Sequence, residues 1–237
     1  MDGDALLAEL AREPTLAAVL LDVDGVLAPI VERPEDAAVP EETRAELRRL
    51  AGRYALVAFI SGRPAEDAAR VLGLDGIAIV GEHGLGLDPA AAEWAERLHA
   101  FADGVDWPVE RKPLSASFHY RGAGDEEAAR ALLEDVAARA RAEGLVARFG
   151  RKVLELRPPV AANKGTAVRH LLGEHGLRRA LYAGDDTTDL DAFAALDGLE
   201  LGVRVAVVTP EGPPELRERA DVAVESPEEL LDVLRAL

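Results

Sequence analysis

Apolar and polar positions follow two different rhythms along this chain. Short, continuous apolar runs occur at about 18–24, 55–60, 77–80, 179–184, 203–208 and 221–225, each bounded by glycine, proline or acid. A run of this kind reads as a strand covered on both faces of its sheet. Between the runs, apolar residues recur every three or four positions, at 4–12, 41–53, 64–72, 164–176, 188–196 and 227–237, the spacing of amphipathic helices. Strands alternating with helices through short links predict a parallel sheet with right-handed crossovers. From 86 to 159 the rhythm changes. Helical spacing at 90–105 and 125–144 is interleaved with alternating segments at 109–122 and 145–158, the latter with a glycine turn. Alternation predicts antiparallel strands with one face open. The expected fold is therefore α/β, with core segments 1–85 and 160–237 interrupted by a smaller α+β domain at 86–159.

Polar residues gather where the predicted core strands end. Asp22 and Asp24 close the first strand, and alternation points both carboxylates to one side. Two such charges repel unless a cation lies between them or one holds a proton. Ser61-Gly62-Arg63 closes the second strand, with Ser61 read as the N-cap of the helix at 64–72. Lys164 opens a later helix, and Gly184-Asp185-Asp186-Thr187-Thr188-Asp189 follows another strand. In a parallel sheet such ends converge on one crevice. Clustered carboxylates in a chain without cysteine suit a hard, oxygen-liking cation, Mg²⁺ where phosphate is involved. A serine hydroxyl, a lysine and a helix N-terminus bind anions. Metal and anion at one place predict phosphoryl chemistry. Lysine usage sharpens this, because only Lys112, Lys152 and Lys164 are lysines among 27 basic residues.

DVDGVLAP, SGR, Lys164 and GDDTTD together resemble the four motifs of the haloacid-dehalogenase superfamily of phosphatases. Within it, VGEHG, KPLSASFHYR, VLELRP followed by NKG, and GDDTTDLDAF resemble the trehalose-6-phosphate phosphatases. The resemblance runs from about 18 to 194. It implies a Rossmann-like core with an inserted cap that closes over the site, and the links near 86–89 and 158–162, rich in Gly or Pro, read as its hinges. It implies Asp22 as nucleophile, Asp24 as acid and then base, protonated until the leaving group needs its proton, and Ser61 and Lys164 as partners of the phosphate. Mg²⁺ would be held by Asp22, the Asp24 carbonyl and Asp185, with Asp186 and Asp189 in support. Gly62, Arg63 and His83 would be further substrate-binding residues. The implied sugar contacts are Glu110, Lys112, His119, Arg121 and Glu155, with Arg151 or its neighbour Lys152 where many relatives carry a lysine.

Composition narrows the partners. A formal net charge of −17 leaves no cationic surface for nucleic acid or anionic membrane. No apolar run approaches the roughly 18 residues of a membrane span, and the acidic N-terminus lacks the basic region of a signal peptide. The expectation is a cytoplasmic monomer that acts on a small sugar phosphate. Sucrose phosphate or a glycosyl phosphoglycerate would use the same core chemistry. A receiver-like module holding phosphate on an aspartate is the reading from another class; a stable phosphoryl-Asp22 without turnover would distinguish it.

Overall fold

The computed structural model describes residues 2–31, 33–150, 152–209 and 212–237. The chain forms two compact units, one from the segments up to Gly84 and from Asn163 onward, the other from Leu85–Ala162.

The first unit is built on six parallel strands: β1 (Ala17–Leu21), β2 (Leu56–Ile60), β3 (Ala78–Val80), β8 (Arg179–Gly184), β9 (Leu201–Val207) and β10 (Val222–Val224), in the order β10-β9-β8-β1-β2-β3. Strand alternation sorts the side chains. Val19, Leu21, Val57, Phe59, Val203 and Val205 pack against α1 (Gly3–Arg12), α2 (Glu41–Ala51) and α9 (Pro227–Arg235). Leu20, Ala58, Ile60 and Tyr182 face α6 (Lys164–Glu174), α7 (Asp189–Ala195) and α8 (Pro214–Arg219) on the other side. Because β8 pairs with β1, with Leu21 opposite Ala183, the loops after β8 and β1 emerge side by side. β2, on the other flank of β1, leads into α3 (Ala65–Leu72).

β1 stops at Leu21, short of both acids. Asp22 still donates its N–H to the Ala183 carbonyl, but the chain then turns through Gly25 at φ 76°. Both acids therefore lie in the loop that follows β1 and not in the strand itself.

The second unit lays α4 (Pro89–Asp103) and α5 (Glu126–Ala142) on an antiparallel sheet of β4 (Glu110–Arg111), β5 (Ala116–His119), β6 (Val146–Gly150) and β7 (Val153–Arg157), ordered β4-β5-β7-β6. Phe118, Leu154 and Leu156 turn toward Leu98, Phe101, Leu133 and Val136 of the helices. The opposite face carries Glu110, Ser117, Glu155 and Arg148 in one row across all four strands. Gly150 is the last residue of β6 rather than the turn; Lys152 takes the left-handed conformation instead, at φ 56°.

Candidate active site

Lys164 is the centre of the first unit's polar cluster. Asn163 fixes its place: the Asn163 side chain accepts the Thr166 N–H, the Thr166 hydroxyl accepts the Asn163 N–H, and α6 starts at Lys164. The amine is 2% exposed and donates to Asp22 Oδ2 and Asp189 Oδ1, both at 2.6 Å. Asp22 Oδ1 accepts the Val23 N–H at 2.7 Å. Asp189 is more fully occupied. Its Oδ1 also accepts the Tyr182 hydroxyl at 2.6 Å, and its Oδ2 accepts the backbone N–H groups of Asp185 and Asp186 at 3.0 and 2.9 Å.

Two glycines make this packing possible. A Cβ on Gly184 would land on the Asp189 carboxylate, and one on Gly25 would land on Asp185 Oδ2. Gly25 also holds a positive φ that side chains disfavour.

The charges do not balance. Asp22, Asp185 and Asp189 are buried, with carboxylate oxygens within 4.8 Å of one another. Burial pushes the Asp22 carboxyl up to about 7, against the pull of Lys164 and with the help of Asp189. Burial would lower the Lys164 ammonium, yet Asp189 and Asp22 outweigh it and hold the group above its ordinary value. The Tyr182 phenol is raised well above its usual range by burial and by Asp189. An oxygen-only set with surplus negative charge fits a hard divalent cation. Asp189 already accepts four donors, and Asp22 accepts two. Asp186 is half-buried, outside this cluster, and its Oδ1 accepts the Thr187 N–H at 2.7 Å.

Asp24 finds a different cation. Arg63 grips it with Nε to Oδ2 at 2.7 Å and Nη2 to Oδ1 at 2.8 Å. Both Asp24 oxygens thus accept from the one guanidinium. Arg63 Nη1 continues to Asp67 at 2.6 Å and to the Pro34 carbonyl at 3.0 Å. Burial works against the guanidinium's charge, but Asp24 and Asp67 hold it firmly protonated. Ser61 is fully buried and its Oγ accepts the Arg63 N–H at 3.1 Å. It braces the loop and does not cap α3, which begins after Pro64 without a side-chain cap. The His83 ring lies against Gly62, where a Cβ would meet Nε2 at 2.7 Å. Its loop is strained: Glu82, His83 and Gly84 all have positive φ, at 48°, 56° and 91°.

The second unit arranges its candidates on the polar sheet face. Glu110 contacts His119 at 2.6 Å, and Lys112 lies 3.9 Å from Glu155. Arg121 is exposed in the turn beyond β5, outside that row. Arg151 lies outside the described residues. Lys152 is paired with Glu126 at 2.9 Å, a bond that leads the causes lowering the Glu126 carboxyl. Two participants, Tyr182 and Arg148, carry no motif signal, while Asn163 and Ser117 lie inside NKG and KPLSASFHYR without having been singled out. Tyr182 alone had a physical clue, a phenol inside an otherwise apolar strand, which must find a partner when buried.

Known proteins bear on this geometry. The family described as trehalose-phosphatase matches residues 20–107 and 102–228. A Mycobacterium tuberculosis protein named an uncharacterized glycosyl hydrolase is 37% identical over 216 residues, which cover 79% of this chain and 16% of that protein. A trehalose-phosphate phosphatase of Mycobacterium marinum is 34% identical over 79% of this chain and 54% of its own length. The chain thus spans between about a sixth and about half of these relatives. A probable trehalose-phosphate phosphatase of Sinorhizobium fredii is 31% identical, with 99% of this chain and 92% of that one covered. Among solved structures, a trehalose-6-phosphate phosphatase related protein superposes with a TM-score of 0.71 at 27% identity, over 92% of this chain and 95% of that one. A haloacid dehalogenase-like hydrolase from Bacteroides thetaiotaomicron shares the fold at a TM-score of 0.61 and 17% identity. With its sheet order, its strand-end acids and the match across most of its length, the chain belongs to the trehalose-phosphatase family.

Proposed function

We propose that this chain is a Mg²⁺-dependent phosphatase that hydrolyses trehalose 6-phosphate to trehalose and phosphate. The observation that carries the reading is one buried ammonium, Lys164, gripping Asp22 while three clustered carboxylates leave a surplus of negative charge. Asp22 and Asp185, with the Asp24 carbonyl, would hold Mg²⁺, which supplies charge to the phosphoryl oxygens and favours the ionised form of Asp22. Asp22 attacks phosphorus and becomes an aspartyl phosphate. Lys164 and Ser61 balance the charge spread over the phosphoryl oxygens, where positioning and electrostatics do most of the work. Asp24 leaves Arg63, takes up a proton and delivers it to the sugar oxygen; as a carboxylate again, it activates the water that frees Asp22. Asp189 supports these groups without touching phosphate.

Glu110, Lys112, His119 and Glu155 read the sugar, their carboxylates and cations being suited to hydroxyl groups. Residues 86–159 act as the cap of the core formed by 1–85 and 160–237. The enzyme works as a cytoplasmic monomer; no helix among the described residues is long and apolar enough to cross a membrane.

The test is a panel of sugar phosphates assayed with Mg²⁺. Trehalose 6-phosphate should give the highest kcat/KM. A clearly higher value for sucrose phosphate or a glycosyl phosphoglycerate would reassign the substrate and leave the chemistry in place.

A further inference from the structure

Tyr182 is fully buried in the middle of the sheet, edge-on to Phe193 with ring centroids 6.2 Å apart. Phenylalanine would fill that space equally well, so packing explains the ring and not the hydroxyl. The hydroxyl would be costly there without a partner. It spends its proton on Asp189 Oδ1 at 2.6 Å, the same oxygen that holds Lys164. The other Asp189 oxygen holds the amides of Asp185 and Asp186. Asp189 thus sets two things at once: where the ammonium stands, and how the loop bearing Asp185 is folded. Its carboxylate sits against Gly184 with no side chain to limit its rotation from that side. On Oδ1 the Tyr182 hydroxyl joins the Lys164 amine in opposing the two loop amides, and as the rigid, ring-anchored donor of the two it keeps the carboxylate aligned.

We propose that Tyr182 is a positioning residue for phosphoryl transfer, acting through Asp189 to hold the Lys164 amine and the Asp185 loop in the geometry that receives phosphate. The proposal rests on the phosphatase reading above. With the hydroxyl gone, Asp189 Oδ1 recovers an accepting site, the carboxylate rotates, and the amine and loop lose their common reference. The sugar-reading residues of the second unit are untouched.

The test is Tyr182→Phe, which keeps the ring. Its kcat should fall about tenfold, the lower end of the effect expected for a partner that only orients the contacting groups, with KM for the sugar phosphate within about twofold. Orthovanadate binding in the presence of Mg²⁺, read by thermal shift without turnover, should weaken about tenfold in parallel. In an Asp189→Asn background, removing the hydroxyl should change vanadate affinity less than twofold, because the two residues act as one unit. If Tyr182→Phe leaves kcat and vanadate affinity within twofold of wild type, the hydroxyl only satisfies itself. If its effect is undiminished in Asp189→Asn, it acts by another route, and either result overturns the proposal. Failure of the wild-type chain to hydrolyse any sugar phosphate would instead sink the phosphatase reading, while the vanadate comparison would still judge Tyr182.

Discussion

Replacing Lys164 by methionine removes a buried cation while keeping the length and most of the volume of the side chain. Asp22 and Asp189 then face each other uncompensated, with oxygens within 4.8 Å. At an effective dielectric of about 20, two unit charges at that separation repel by roughly 3.5 kcal/mol. Two charge-assisted hydrogen bonds are lost as well, and breaking a buried pair from one side costs about 3–5 kcal/mol in total. For a chain of this size that is a fall in Tm of roughly 6–20 °C. The pH dependence has a definite sign. Asp22 titrates near 7 when folded, above its ordinary 3.8, so between these values the native state holds the extra proton and stability falls as pH rises. Without Lys164 the folded value climbs further and the loss continues above pH 7. The Tm difference between wild type and Lys164→Met, measured calorimetrically in EDTA, should be small near pH 5 and largest near pH 8. Added Mg²⁺ should return part of it. A difference under about 2 °C at pH 8, or the same difference at both pH values, would refute the charge accounting.

Three further outcomes follow from the same geometry. Gly25→Ala meets both a positive φ and the Asp185 carboxylate; it should cost about 1–3 kcal/mol in urea denaturation and lower kcat at least a hundredfold, whereas near-normal activity would mean Asp185 is not needed where it stands. Glu155→Gln should raise KM for trehalose 6-phosphate about tenfold with kcat/KM for p-nitrophenyl phosphate unchanged, and parallel losses on both substrates would remove Glu155 from sugar reading. Wild-type enzyme stripped with EDTA should lose turnover and gain Tm when Mg²⁺ is restored; turnover that survives stripping would contradict the metal assignment.

The fold was legible wherever a periodicity ran uninterrupted. AVLL at 18–21 and LVAFI at 56–60 are buried on both sides, and alternation in 153–157 puts Leu154 and Leu156 inward and Glu155 outward. It failed where the chain changes period. Asp22 and Asp24 were read as strand-end residues, but β1 ends before them, and in the loop they pair with Lys164 and Arg63 respectively. The identity of the chemical groups was easier to read than their pairing. That Arg63 would clamp Asp24, 39 positions away, depends on strand order and not on any local pattern. Ser61 carries the composition of a helix cap, yet its hydroxyl serves the Arg63 amide inside the loop. The sparing use of lysine did carry information: Lys164 is the buried cation of the core, Lys112 stands beside Glu155, and Lys152 closes a hairpin and pairs with Glu126.

The division of labour between Asp22 and Asp24 is the central claim, and Asp24→Asn treated with p-nitrophenyl phosphate tests it most directly. p-Nitrophenolate leaves without an acid, so Asp22 can still take the phosphoryl group, while water lacks the base that would remove it. Rapid mixing should give a burst of one p-nitrophenolate per enzyme, with mass spectrometry placing the phosphoryl group on the peptide that contains Asp22. A burst that leaves Asp22 unmodified, or steady turnover at the wild-type rate, would contradict the account.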